Sequence, residues 1–277
     1  MTVAVSTRSV RSIGADALGP AAQKIRNGLI SGGTLVAFAL IWQWLGVIDA
    51  FGHNVLPTFT DTMRALGEVV TTGQFWQNVR HTMVQWAIGL IGAALIAIPV
   101  GLFLGRGRLR HRSTRTTIDF LRTIPPVMLL PLFVLVWGTG LQMVVLLAIY
   151  AAVWPMLTQT IDGVRQIEQM TLDTATVFKI SRRRTFFKVL LPSVAPFITS
   201  GVRVSAVISL FIAIVCELVA GSPGLGQALA QAQHGGDSPL MVALILVTGV
   251  LGVLINLVFR YGERRLLAWH PTYAKEA

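Results

Sequence analysis

Residues 81–122 read HTMVQWAIGLIGAALIAIPVGLFLGRGRLRHRSTRTTIDFLR, and this stretch decides the fold. No charged side chain stands between His81 and Arg106, and the run is rich in Leu, Ile, Ala and Gly. A bilayer crossing needs about 20 predominantly apolar residues, and this run supplies them. It ends in Arg106, Arg108, Arg110, Arg112, Arg115 and Arg122. Lys and Arg concentrate on the cytoplasmic side of inserted chains, so these arginines also orient the span.

The same grammar repeats along the chain. Of 23 Lys and Arg, all but Arg64, Arg80 and Arg203 fall in the polar segments 1–28, 105–122, 161–193 and 260–277. The alternate segments 49–80, 138–141 and 220–238 are nearly free of them. The pattern predicts an all-α, polytopic membrane protein with six transmembrane helices, over 29–48, 81–105, 118–137, 141–160, 195–219 and 239–259. The expected organisation is a cytoplasmic tail 1–28, a membrane domain 29–259 with a cytoplasmic loop 161–193, and a cytoplasmic tail 260–277. The N-terminal Ser/Arg-rich segment is expected to be a tail before a retained helix, because residues 29–48 exceed a signal-peptide core; a transit peptide is the compositional alternative.

Composition narrows the function. The chain is 53% hydrophobic and 13% charged, against about 25% charged in soluble domains. A net charge of +11 could suggest nucleic acid, but the cations alternate with membrane-length apolar runs and form no continuous basic face, so nucleic acid is not an expected partner. The single Cys216 excludes an intrachain disulfide and suits a small buried hydrophobe. No phosphate-binding G-x-x-x-x-G-K-[ST] run, no Gly-x-Ser-x-Gly elbow and no His/Cys cluster occurs. No catalytic residue, cofactor or metal ligand is therefore expected in this chain.

Few ionisable groups lie inside the runs. Arg203 and Glu217 are fourteen residues apart on one predicted helix, about 21 Å, and cannot pair. The absence of midplane carboxylates and His counts against a stand-alone secondary transporter. Glu217 is either an anchor of the outer helix end or a pathway group. Pro125, Pro126, Pro131 and Pro155 free backbone carbonyls inside spans three and four, where such backbone either lines a cavity or marks a packing kink. Outside the spans, Asp61 is positioned to cap a short helix over 62–71. The sequence Gly221-Ser222-Pro223-Gly224-Leu225-Gly226 predicts a tight turn before a second short helix.

A chain built to span a membrane without an energy source needs an external motor. The basic segment 161–193 offers a docking place: Thr171 or Asp173 could cap a helix presenting Leu172, Ala175, Phe178 and Ile180. Here the chain resembles the permease subunits of binding-protein-dependent ABC importers. That family carries Glu-Ala-Ala, three residues, Gly, nine residues, Ile, one residue, Leu-Pro. The same spacing begins at Asp173-Thr174-Ala175, has Lys179 in place of Gly, and ends at Val189, Leu191 and Pro192. A lysine there is at a disadvantage if φ is positive. Residues 56–58, Thr82, 121–126, 130–133, 138–140, 201–203, 217–218, 224–226 and 263–269 resemble in order and spacing the subfamily importing nitrate, alkanesulfonates and taurine.

The resemblance implies the type I ABC importer permease fold and a homodimer in the bacterial cytoplasmic membrane, with both termini cytoplasmic. Two ATPase subunits, which bind ATP and Mg, would dock at Leu172, Asp173, Thr174, Ala175, Phe178, Lys179, Ile180, Val189, Leu191 and Pro192. An extracytoplasmic solute-binding protein would deliver a small, anionic solute. A vitamin or pyrimidine precursor is the alternative cargo.

Overall fold

Helices account for the architecture, and their ends follow from local chemistry. A computed structural model of the chain describes residues 20–50, 52 and 55–267, and among them no strand forms. Helix α1 spans Pro20–Val47, beginning inside the segment expected to be tail; residues 1–19 and 268–277 lie outside the description. Its apolar stretch, Gly32–Val47, is shorter than a full crossing. Helix α2 spans Phe59–Val69. Its cap is Thr58 rather than the expected Asp61: the Thr58 hydroxyl accepts from the Asp61 N–H at 3.1 Å and donates to the Asp61 carboxylate at 2.6 Å.

Chain contacts separate a first unit, through Asp61, from a second, Thr62 onward. In the first unit the Trp42 indole donates to the Pro57 carbonyl at 3.0 Å, and Gln43 accepts from the N–H and hydroxyl of Thr60. The second unit holds the remaining spans.

Helix α3, Gly73–Gly105, starts eight residues before the expected span two because Thr72 caps it, accepting from the Phe75 N–H. Helix α4, Arg108–Thr123, is a basic amphipathic helix. A 3-10 turn, Pro126–Leu129, leads into α5, Leu130–Trp137. The expected third span, 118–137, is thus two helical pieces bent by 76°. The residue before a proline is pushed out of the α region; Ile124 accordingly adopts φ −69°, ψ 115°, and Pro125 lacks the N–H to continue the ladder. Helix α6 is Leu141–Arg165. Helices α7, Gln169–Val177, and α8, Arg182–Thr185, fill the loop, and a π-helical turn, Phe186–Leu190, leads into α9, Leu191–Ala220. Helices α10, Leu225–His234, and α11, Ser238–Leu266, complete the described chain. α11 extends past the expected end at residue 259, because Glu263 is buried and keeps the last turns packed.

Four of these runs are long and apolar enough to cross a membrane, and the bent pair makes five if it is one span. Their packing rests on close approach. Lipid tails are as apolar as Leu, so helices in a bilayer associate through small residues and interhelical hydrogen bonds. On α3, small residues recur every four positions: Gly89, Ala93, Ala97, Gly101 and Gly105. Ala93 and Ala97 are fully buried. A Cβ on Gly101 would lie 2.7 Å from Thr160 Cβ on α6, and one on Gly89 would lie 2.8 Å from Ala148 Cβ. α9 then packs on α6 through the Ser205 hydroxyl, which donates to the Ala152 carbonyl at 2.7 Å. The Trp86 indole, on α3, donates to the Ala206 carbonyl at 2.8 Å.

Arg203 also finds a partner. It pairs with Glu263 on α11 at 3.3 Å, and Thr199 donates to the same carboxylate at 3.4 Å. Burying an ion pair is tolerable only with such additional hydrogen bonds.

Gly101→Ala is expected to lower the melting temperature of the purified protein, because the new Cβ would overlap Thr160 and α3 and α6 would have to move apart; overpacking of this kind costs about 1–3 kcal/mol. Gly67→Ala on α2, where an added Cβ meets nothing within 4 Å, should not lower it and should raise it slightly, since Ala is the better helix former.

Candidate functional site: a short helical joint and an opposing loop clamp

α9 is about 45 Å long at 1.5 Å per residue, and each of its ends joins a distinct arrangement. At its start stands the α7–α8 segment. α7 is entered at Glu168, whose carbonyl accepts from the Thr171 N–H at 3.0 Å. The expected caps, Thr171 and Asp173, lie inside the helix instead. Thr174 donates back to the Met170 carbonyl. Ala175 is 5% exposed and faces the bundle, whereas Met170, Val177 and Phe178 are 76%, 77% and 73% exposed. With Asp173 and Thr174 they outline a shallow depression on the outward face. Leu172 is in α7, though its side chain lies outside the described residues.

The helix ends in a Schellman turn. The Ile180 N–H reaches the Ala175 carbonyl at 2.9 Å, and the Lys179 N–H reaches the Thr176 carbonyl at 3.0 Å. This closure requires a left-handed residue, normally glycine, at the position after the cap. Lys179 occupies it with φ +53°. The strain the sequence raised is therefore present.

Ser181 then caps α8 by accepting from the Arg184 N–H at 3.4 Å. The following π turn has a local cause. Pro192 cannot donate to the Lys188 carbonyl, and Leu191 donates back to Phe186. Val189, Leu191 and Pro192 thus form the junction between the α7–α8 segment and the long rod of α9. π turns are frequent at functional joints in helices.

At the far end of α9, Glu217 is fully buried. Its Oε2 accepts from the Thr82 hydroxyl on α3 at 2.8 Å and from the Gly226 N–H at 2.9 Å. Thr82 in turn accepts from the Leu225 N–H at 2.9 Å. The first two N–H groups of α10 are therefore satisfied by side chains, and a carboxylate sits at the positive end of that helix. Gln85, one turn along from Thr82, donates to the Pro223 carbonyl at 2.8 Å. Gly221 closes α9 in the left-handed conformation, donating to the Glu217 carbonyl. Gly224 has φ +156°, and a Cβ there would overlap the Glu217 carboxylate. The loop 221–226 is clamped on both sides by α3 and α9. Glu217, a pathway candidate in the sequence, holds this clamp.

The proline candidates scatter. Pro125 and Pro126 stand at the break before α5, Pro131 in the first turn of α5, and Pro155 inside α6. The clamp's partners were not legible in the sequence. Thr82 and Glu217 lie 135 residues apart, and their shared signal was only a polar residue in each of two apolar runs.

A bundle with four or five membrane-length helices among the described residues, one short helical joint and one clamped loop is the architecture of a multi-pass membrane protein. Residues 97–268 match the family described as binding-protein-dependent transport system inner membrane component, and the chain belongs to it. A Bacillus subtilis (strain 168) protein named for aliphatic sulfonates transport, the permease SsuC, is 26% identical over 274 residues, 99% of each chain. The nitrate import permease NrtB of Leptolyngbya laminosa is 27% identical over 201 residues, covering 73% of this chain and 72% of that one. The solved inward facing structure of the MetNI methionine ABC transporter contains a chain that superposes with a TM-score of 0.61 at 19% identity, covering 69% of this chain and 95% of that chain. The fold is that of a type I ABC importer permease.

Two substitutions test this geometry. Lys179→Gly relieves the left-handed lysine and should stabilise the purified protein by about 1 kcal/mol, read as a higher melting temperature. Glu217→Ala leaves the Gly226 N–H unpaired at a cost of about 2 kcal/mol; hydrogen exchange at Leu225 and Gly226 should accelerate while α6 amides stay protected. Unchanged protection at those two amides would refute the clamp.

Proposed function

We propose that this chain forms the translocation pathway of an ABC importer as a pair of identical copies, and transmits the work of two separate ATPase subunits through α7. The observation that carries the reading is the exposed apolar knob of Met170, Val177 and Phe178 on a helix closed by a Schellman turn. Exposed aromatic and aliphatic anchors on a short rigid helix are the chemistry that seats in a groove of a partner protein. The docking set comprises Leu172, Asp173, Thr174, Ala175, Phe178, Lys179 and Ile180, with Val189, Leu191 and Pro192 as the joint to α9.

In this reading both termini and the α7–α8 segment are cytoplasmic, consistent with the concentration of Lys and Arg there. The loop 221–226 and α10 then face outward, where an extracytoplasmic solute-binding protein delivers cargo. ATP and Mg are bound by the ATPase subunits, and this chain contributes no catalytic group. Closure of the ATPase pair on ATP pulls α7, and the pull passes through the π turn into α9. The cavity between the two copies thereby switches its opening from one side to the other, a two-state change biased by a ligand bound elsewhere.

The cargo is a small anionic solute of the sulfonate, nitrate or taurine type. The support is the likeness to permeases named for aliphatic sulfonates and for nitrate. A vitamin or pyrimidine precursor remains the second candidate, since cargo choice rests mostly with the binding protein.

Phe178→Ala should cut ATP-dependent uptake in reconstituted vesicles by about tenfold, the cost of losing an interface anchor, with permease insertion unchanged. Normal uptake by Phe178→Ala and by Asp173→Ala would overturn α7 as the docking element.

A further inference from the structure

A second pocket lies on the other face of α7. Its volume is about 590 Å³, and it opens between the end of α3, the end of α6 and the α7–α8 segment. Arg106, Arg165 and Arg182 line it, no acidic residue does, and Val164, Ile180 and Phe186 are among its apolar walls. The Arg106 guanidinium rests over the Phe186 ring, 4.6 Å from its centroid. Among the described residues, neither Arg165 nor Arg182 has a carboxylate within ion-pair distance. Arg165 also borders a neighbouring recess, where Asp119 sits against Arg115 and Arg122 and Asp162 completes the wall.

We propose that this pocket binds the phosphate-bearing head group of an anionic membrane lipid. Three guanidinium groups around an apolar-walled recess suit a ligand with a charged phosphate and a greasy stem. Basic pockets between spans at the cytoplasmic side select such head groups from a leaflet rich in anionic lipid. α4 adds an independent observation. It leaves the pocket rim at Gly107 as a basic amphipathic helix with Leu109 and Phe120 81% and 68% exposed. That pattern is suited to lying in the head-group layer. A soluble phosphate would use the arginines but not this apolar apron.

The placement has a consequence for coupling. Ala175 and Thr176 of α7 line the lipid pocket, while Met170, Asp173, Thr174, Val177 and Phe178 line the outward depression. The two depressions share no residue, although Ala175 and Ile180 of the docking set also line the lipid pocket, so a lipid behind α7 and an ATPase seated on the Met170, Val177 and Phe178 face can bind together. The lipid then sets how firmly the coupling helix is seated. This inference rests on the orientation proposed above, which puts the basic end in the cytoplasmic leaflet.

The test is native mass spectrometry of the full chain in detergent, supplied with equal phosphatidylglycerol and phosphatidylcholine. The wild-type protein should retain phosphatidylglycerol preferentially. Each of R106Q, R165Q and R182Q should weaken that preference by about fivefold, the effect of one interfacial cation. The triple R106K/R165K/R182K variant keeps the charge and should retain a preference. R64Q, at the opposite end, should behave as wild type. Single variants that keep their melting temperature and full preference would overturn the proposal. So would displacement of the lipid by excess inorganic phosphate, which would assign the pocket to a soluble anion, or loss of the preference once the ATPase subunits are bound. None of these readouts depends on uptake, so failure here is separate from failure of the importer reading.

Discussion

Close approach of α3 to α6 is the constraint on which the rest of the bundle depends. In a bilayer no water is released when apolar helices meet, so association needs contacts that lipid tails cannot match. The four-residue ladder from Gly89 to Gly105 provides them, with Ala93 and Ala97 fully buried between the glycines. α6 is thereby fixed as the centre, and α9 packs on its other side with Ser205 hydrogen-bonded to the Ala152 backbone. The ion pair of Arg203 with Glu263 then ties α11 to α9.

This arrangement makes α9 a connecting rod. One end carries Val189, Leu191 and Pro192 at a π turn beside α7–α8; the other carries Glu217, which holds the loop before α10. In the proposed coupling, movement of α7 would reach the loop 221–226 along a single helix whose sides are packed and whose ends are hydrogen-bonded. The clamp residues Thr82 and Gln85 sit on α3, so the same movement is resisted by the helix that defines the core. A rod anchored at both ends is a physical basis for a two-state change, because packed interfaces switch between arrangements more readily than they deform.

Much of this was legible in the sequence, for identifiable reasons. The apolar runs and the clustering of Lys and Arg placed α3, α6, α9 and α11 within several residues, since membrane length and charge are local properties. Helix ends ran longer than the apolar runs, because Thr72 and Asp237 cap helices that begin in polar sequence. The third span broke where Ile124 precedes Pro125, a signal present in the sequence but read there as a kink within one span. Lys179 stood out through the resemblance to importer permeases, which carry Gly at that position; its left-handed φ is a finding of the structure. By contrast, the pairing of Arg203 with Glu263 and of Glu217 with Thr82 is tertiary and has no local signature. The small-residue ladder is visible in the sequence every four residues, yet its partner helix is not.

The central claim is that α7 is the surface met by the ATPase. The native Cys216 is buried, so a cysteine introduced by Phe178→Cys offers the accessible thiol for a photoreactive label. In the assembled complex, illumination should link position 178 to the ATPase subunit, while the same label on Gln233→Cys in α10 should not. A crosslink from position 233 to the ATPase, or labelling of position 178 from outside intact cells, would contradict the account.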